Sequence, residues 1–143
     1  MKKLILIALI FSLLLSSCAR QTLENAPKNG VGTIVKTAKG QYIDISVSEL
    51  NKMLKNKDFV FVNVHIPFEG NIPNTDLSIP YDTIDQHLNQ LPAEKNAKIV
   101  LYCRSDRMSN IAANTLVEKG YTNVYNLDGG FTEWEKAGLP IEK

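Results

Sequence analysis

Cysteine is scarce in this chain: two among 143 residues, Cys18 and Cys103. An even count in an exported protein ordinarily suggests a disulfide, but here the N-terminus assigns Cys18 elsewhere. Histidine is equally sparse. Neither His65 nor His87 has a second histidine or cysteine at ligand spacing, so no metal site is expected, and no motif calls for a cofactor. His65 has Glu69 four residues on as a pairing partner, and His87 reads as a helix-surface residue. Charge of one sign is missing too. A net charge of +1 leaves no electrostatic footprint for nucleic acid. There is no internal repeat or low-complexity tract. The one long apolar run, Leu4 to Leu15 broken by Ser12, is too short for a comfortable membrane span.

What is present suits one domain. At 44% hydrophobic content the chain can build a single core, and 143 residues are too few for two. Met1-Lys2-Lys3 followed by the apolar run has the shape of a secretory signal. Setting Lys2 and Lys3 aside from the 16 basic and 15 acidic side chains leaves a mature domain close to neutral.

The next residues, Leu15-Ser16-Ser17-Cys18, resemble the lipobox of bacterial lipoproteins. The resemblance implies a signal peptide over residues 1–17 and a diacylated Cys18 as first mature residue, leaving Cys103 the only free thiol. It also implies attachment to a membrane outside the cytoplasm, in the cell envelope on the periplasmic face. Ala19, where an aspartate marks inner-membrane retention, favours the outer membrane if the envelope has two. Residues 18–40 then read as a lipidated N-terminus and polar tether, with one short edge strand near Thr33 to Thr37, and residues 41–143 as the folded domain.

Within that domain, Gln41 to Ile45 alternates and reads as a strand. Ser46 or Ser48 caps a helix whose apolar face is Val47, Leu50, Met53 and Leu54. Phe59 to Val64 is apolar on both faces, as central parallel strands are. Pro67, Gly70 and Pro73 make a loop, Ile79-Pro80 a short strand, and Asp82 to Leu91 a helix. Ile99 to Tyr102 reads as a buried strand and Asn110 to Lys119 as a helix stopped by Gly120. Val124 to Leu127 follows as a strand, Asp128-Gly129-Gly130 as a turn, and Phe131 to Ala137 as a helix with Trp134 as its core anchor.

The chemistry gathers where Ile99 to Tyr102 meets the following helix. Cys103 stands at the carboxyl end of a strand, where open α/β sheets bind ligands. Arg104-Ser105-Asp106-Arg107-Met108-Ser109 forms a tight polar turn into the helix. The unpaired N–H groups and dipole of that helix favour a thiolate, as do Arg104 and Arg107 when turned inward. A buried structural cysteine needs none of these neighbours.

Tyr102-Cys103-Arg104-Ser105, Ser109, Ala112-Ala113, Gly120-Tyr121-Thr122-Asn123-Val124, Leu127-Asp128-Gly129-Gly130 and Trp134 together resemble the single-domain rhodanese family of sulfurtransferases. The likeness runs from about Ile43 to Pro140. It implies a three-layer α/β fold with a mostly parallel five-stranded sheet flanked by helices, and a monomer. It implies that Cys103 takes sulfane sulfur from an anionic donor such as thiosulfate, holds it as a persulfide, and passes it to cyanide or a thiol. Residues 104–109 would form the anion-binding loop, with main-chain N–H groups of residues 104–108 converging on the bound sulfur. The family's loop is close to Cys-Arg-Ser-Gly-x-Arg-Ser. Here Asp106 replaces the glycine, Met108 replaces the second arginine, and Arg107 sits one place early. Asp tolerates positive φ better than most residues, and its side chain is expected to face out of the cradle. Asn63 and His65 replace members of a charged pair common in the family.

Two other classes remain. A phosphatase or arsenate reductase on the same sheet wants arginine six positions after the cysteine, and that position holds Ser109. A membrane-tethered sulfur-relay or binding module with little turnover is the stronger rival, because Asp106 and Met108 depart from the family loop.

Overall fold

The computed structural model describes residues 30–143. The expected signal peptide and the lipidation of Cys18 lie outside those residues. The sheet has six strands: β1 (Thr33–Lys36), β2 (Gln41–Ile45), β3 (Val60–Asn63), β4 (Leu77–Ser78), β5 (Ile99–Tyr102) and β6 (Val124–Leu127). Their order is β1-β2-β6-β5-β3-β4, and every pairing is parallel except the β1–β2 hairpin. The mostly parallel sheet agrees with expectation, but it carries one strand more than the five expected. The sixth is β1, the edge strand read within the tether, which Gly40 turns back onto β2.

Three helices cover the sheet: α1 (Val47–Leu54), α2 (Arg107–Glu118) and α3 (Gly130–Lys136). Ala112, Ala113, Leu116 and Val117 of α2 bury against Val62, Val64, Ile99 and Leu101 on one face. Leu50 of α1 and Phe131 and Trp134 of α3 meet Phe61, Val100 and Tyr102 on the other. Because β3, β5 and β6 are sandwiched, they are apolar on both faces rather than alternating. Trp134 is buried, and its indole N–H donates to the Pro140 carbonyl at 2.8 Å. Ser46 caps α1 in a full capping box with Glu49.

Three local expectations need correction. Asp82 to Leu91 forms two short 3-10 turns, Ile84–Gln86 and Leu88–Gln90, not an α-helix. Thr83, Asp85, His87 and Asn89 are weak helix formers, and Thr83 makes no side-chain cap. The short strand is Leu77–Ser78 rather than Ile79-Pro80. Ile79 N–H still donates to Asn63 O, but Pro80 has no N–H to continue the ladder. Helix α2 begins at Arg107, one turn earlier than Asn110. Ser109 is therefore inside the helix, where its hydroxyl reaches back to the preceding turn.

Candidate active site

Strand β5 delivers Cys103 between β3 and β6 at their carboxyl ends. The chain leaves β3 toward β4 at one side and β5 toward β6 at the other, the arrangement at which open α/β sheets form a crevice. The start of α3 holds the base of the turn. Phe131 N–H donates to Cys103 O at 3.0 Å, while Thr132 donates to Arg104 O through N–H at 3.1 Å and through its hydroxyl at 3.0 Å. Gly130, at φ +50, makes this approach possible: a Cβ there would stand 2.1 Å from the Cys103 carbonyl oxygen.

The Cys103 side chain is 2% exposed, above an apolar floor that includes Val64, Ala112 and Ala113. Its upper side is polar. The Ser109 hydroxyl lies 3.3 Å from Cys103 Sγ and 3.1 Å from Asp106 O, so its single proton serves one or the other. Arg104, Ser105 and Arg107 are exposed around it, and Asp106 and Met108 are half-buried. Among the described residues, the main-chain N–H groups of Arg104, Ser105, Asp106 and Met108 donate to no carbonyl. Free amides at the head of a 12-residue helix make a setting for an anion.

Asp106 takes φ +78, as the glycine it replaces readily would. Its carboxylate is directed to partners outside the loop. It turns toward the β6–α3 turn, accepting from Gly129 N–H at 2.8 Å and from Asn126 Nδ2 at 3.4 Å. The same Asn126 amide donates to Asp44 at 2.9 Å. Burial first, then the charges of Asp128 and Asp106, raise the Asp44 pKa against the opposing Asn126 bond.

Arg104 does not turn toward the sulfur. Its guanidinium pairs with the Glu69 carboxylate from the β3–β4 loop. His65 lies behind that carboxylate, with Nε2 3.5 Å from Glu69 Oε2, so the expected partners do meet. The contact is not a hydrogen bond by geometry, and neither ring nitrogen of His65 has a hydrogen-bond partner among the described residues. Phe131 meets the His65 ring edge-on. Glu69, Arg104 and Phe131 also line a pocket of about 370 Å³ with Glu135, Ile141 and Lys143. Arg107 makes no ion pair with any described residue. A second groove, about 630 Å³ between α1 and α3, is lined by no cysteine or histidine.

Sequence reasoning missed the supports beneath this site. Asn63 Nδ2 donates to Gly70 O at 2.9 Å and Asn71 Oδ1 at 3.0 Å, and Asn63 Oδ1 accepts from His65 N–H at 2.9 Å. The buried Tyr102 hydroxyl accepts from Ile72 N–H and lies 2.7 Å from the Thr75 hydroxyl and 3.3 Å from Asn71 Oδ1, and its single proton goes to one of these two. Burial pushes its pKa up to about 12, against the opposing bonds from Thr75 and Ile72. Asn63 thus holds the β3–β4 loop with neutral hydrogen bonds. Only the polar residues inside otherwise apolar strands hinted at this.

A sheet of this order, with a cysteine turned through a free-amide loop into α2, belongs to a class the comparisons define. A family model for the rhodanese-like domain matches residues 40–137. A sulfurtransferase from Allochromatium vinosum is 33% identical over 99 residues, spanning 67% of this chain and 90% of its own. A rhodanese-like domain protein from Staphylococcus aureus is 32% identical, covering 70% of this chain and 98% of its own at a TM-score of 0.58. A tRNA uridine(34) hydroxylase from Hamiltonella defensa is 33% identical over 113 residues, but this chain spans only 31% of its length. The chain belongs to the rhodanese-like domain family, in company with sulfurtransferases.

Proposed function

We propose that this protein is a sulfurtransferase that carries sulfane sulfur as a persulfide on Cys103. The thiolate attacks the outer sulfur of a donor, of which thiosulfate is the simplest. The donor's S–S bond breaks, and sulfite leaves with the electron pair. The free amides of the loop and the head of α2 stabilise the anionic terminal sulfur. A thiophilic acceptor, a thiol or cyanide, then attacks that sulfur and restores the thiolate. The observation that carries this reading is the Ser109 hydroxyl 3.3 Å from an otherwise unpaired thiol at the head of a helix.

Arg107 and the loop amides, with Ser105 and Met108 beside them, form the donor-binding rim in this reading, and Asp106 and Ser109 shape it. Intact-mass measurement of the soluble domain after exposure to a sulfane-sulfur donor tests it. A gain of one sulfur atom on wild type and none on Cys103→Ser is expected. Wild type without that gain excludes the mechanism.

A second reading is a relay module with little turnover of its own. The Arg104–Glu69 pair favours it, because one loop cation is already engaged. Turnover with a small acceptor after loading separates the two. The proposal includes lipid attachment at Cys18, which holds the domain outside the cytoplasm on the periplasmic face of an envelope membrane, the outer one if there are two. Full-length protein partitioning into detergent, and Cys18→Ala failing to do so, is the expected result.

A further inference from the structure

The charges around the candidate site do not match a doubly charged donor. Loop residues 104–109 carry two cations, Arg104 and Arg107, and one carboxylate, Asp106. Arg104 is already paired with Glu69. Asp106 is held next to Asn126, whose other partner is the carboxylate of Asp44, and Asp128 stands beside Gly129. Asp106 helps raise the pKa values of both Asp44 and Tyr42, in each case after burial. Arg107 is left as the loop's unpaired cation, and the neighbouring pocket is lined by Lys143 as well as by Glu69 and Glu135. The carboxylates therefore match or outnumber the cations around the cysteine loop, and a dianion gains little from entering.

We propose that the donor served by Cys103 is a persulfide carrying at most one negative charge, rather than a dianion such as thiosulfate; this rests on the sulfurtransferase reading above. The loop amides suit one charge on one terminal sulfur. The transfer balances without an added oxidant. The Cys103 thiolate bonds the outer sulfur of R–S–SH, the donor's S–S bond breaks with its electron pair going to R–S⁻, and the proton of the outer sulfur passes to that leaving group. The products are Cys103–S–S⁻ and a thiol. The apolar side of the neighbouring pocket, Phe131 and Ile141, gives the R group a surface that sulfite would not use.

The test compares thiosulfate with the persulfide of 2-mercaptoethanol, reading sulfur loading of Cys103 as kcat/KM for each. Raising salt to about 0.5 M screens the field and gives the sign directly. With wild type, thiosulfate kcat/KM is expected to stay level or rise with salt. A steep fall would show an attractive field and overturn the proposal. Glu69→Gln and Asp106→Asn keep side-chain shape and each remove one negative charge. In each, the thiosulfate-to-persulfide ratio of kcat/KM is expected to rise at least threefold. Ratios within twofold of wild type in both variants, with unchanged circular dichroism, overturn the donor assignment but leave the sulfurtransferase reading standing. Wild-type protein that loads from neither donor overturns both.

Discussion

The carboxylate of Asp106 accepts the main-chain N–H of Gly129 at 2.8 Å, across 23 residues of chain. With the bonds from Phe131 and Thr132 to Cys103 and Arg104, it fastens the cysteine turn to the start of α3 at both ends. A glycine at position 106 would give the backbone angle but not the clamp.

Replacing that carboxylate separates the two roles. Asp106→Ala removes the acceptor from Gly129 and puts an alanine at φ +78. The two costs together come to about 2–4 kcal/mol. Thermal unfolding is expected to fall accordingly, and sulfur loading at least tenfold. Asp106→Asn keeps an acceptor oxygen and tolerates the backbone angle, so it should recover most of the lost stability. Equal melting temperatures for Ala and wild type would dismiss the clamp.

Ser109 offers a smaller and more local test. Ser109→Ala removes the hydroxyl 3.3 Å from Cys103 Sγ, at a site 0% exposed. A hydrogen bond to a charged group contributes about 1.5–3 kcal/mol. Alkylation of Cys103 by iodoacetamide at neutral pH and sulfur loading should both drop about tenfold. Because alanine fills most of the serine volume inside α2, the melting temperature should move little. Loss of stability without loss of thiol reactivity would make Ser109 a packing residue only.

The elements that were legible in the sequence share one property: their local pattern and their tertiary setting agree. Ile99 to Tyr102 is apolar throughout because both faces are covered, and the cysteine turn follows at the strand end. Gly120, at φ +90, stops α2 as its position suggested. Where side chains reach across the sequence, the pattern was silent. Glu69 finds Arg104 and Asp106 finds Gly129 only because the β3–β4 and β6–α3 loops fold over the same strand ends. The start of α2 was misplaced for the same reason. Ser109 directs its hydroxyl to the thiol or to the Asp106 carbonyl, contacts that form only once the cysteine turn is folded.

Buried Tyr102 and half-buried Asp44 each contribute to the pH dependence of stability. Tyr102, with its pKa pushed up to about 12 from 10.0, resists ionisation in the folded state while the unfolded chain ionises freely. Stability is therefore unaffected below about pH 10 and declines from there toward pH 12, by about 2–3 kcal/mol in all. Tyr102→Phe removes that decline but leaves Ile72 N–H without its acceptor, so it should be less stable at pH 7 and flatter above pH 10. Asp44 follows the same logic at the acid end. Its raised pKa means that ionisation costs more in the folded state, so its contribution is unfavourable above the folded pKa and vanishes as pH falls below the unfolded one. Asp44→Asn should raise the melting temperature at pH 7 and leave it unchanged at pH 3. Urea unfolding across pH 3–11 reads both.

The last prediction turns on two glycines that share positive φ and differ in surroundings. At Gly120, φ +90, an added Cβ meets nothing within 4 Å. Gly120→Ala pays only for the backbone angle, about 1–2 kcal/mol. At Gly130, φ +50, the Cβ would lie 2.1 Å from Cys103 O and 2.9 Å from Cys103 C, both main-chain atoms that cannot rotate aside. Gly130→Ala must push α3 off the cysteine turn, breaking the Phe131–Cys103 and Thr132–Arg104 bonds. We expect Gly120→Ala to load sulfur at close to the wild-type rate, with a melting temperature lower by several degrees. Gly130→Ala should lose loading more than a hundredfold or fail to fold. Comparable behaviour of the two variants in melting and loading would mean that contact between α3 and the cysteine turn is dispensable, and the clamp argument for Asp106 would go with it.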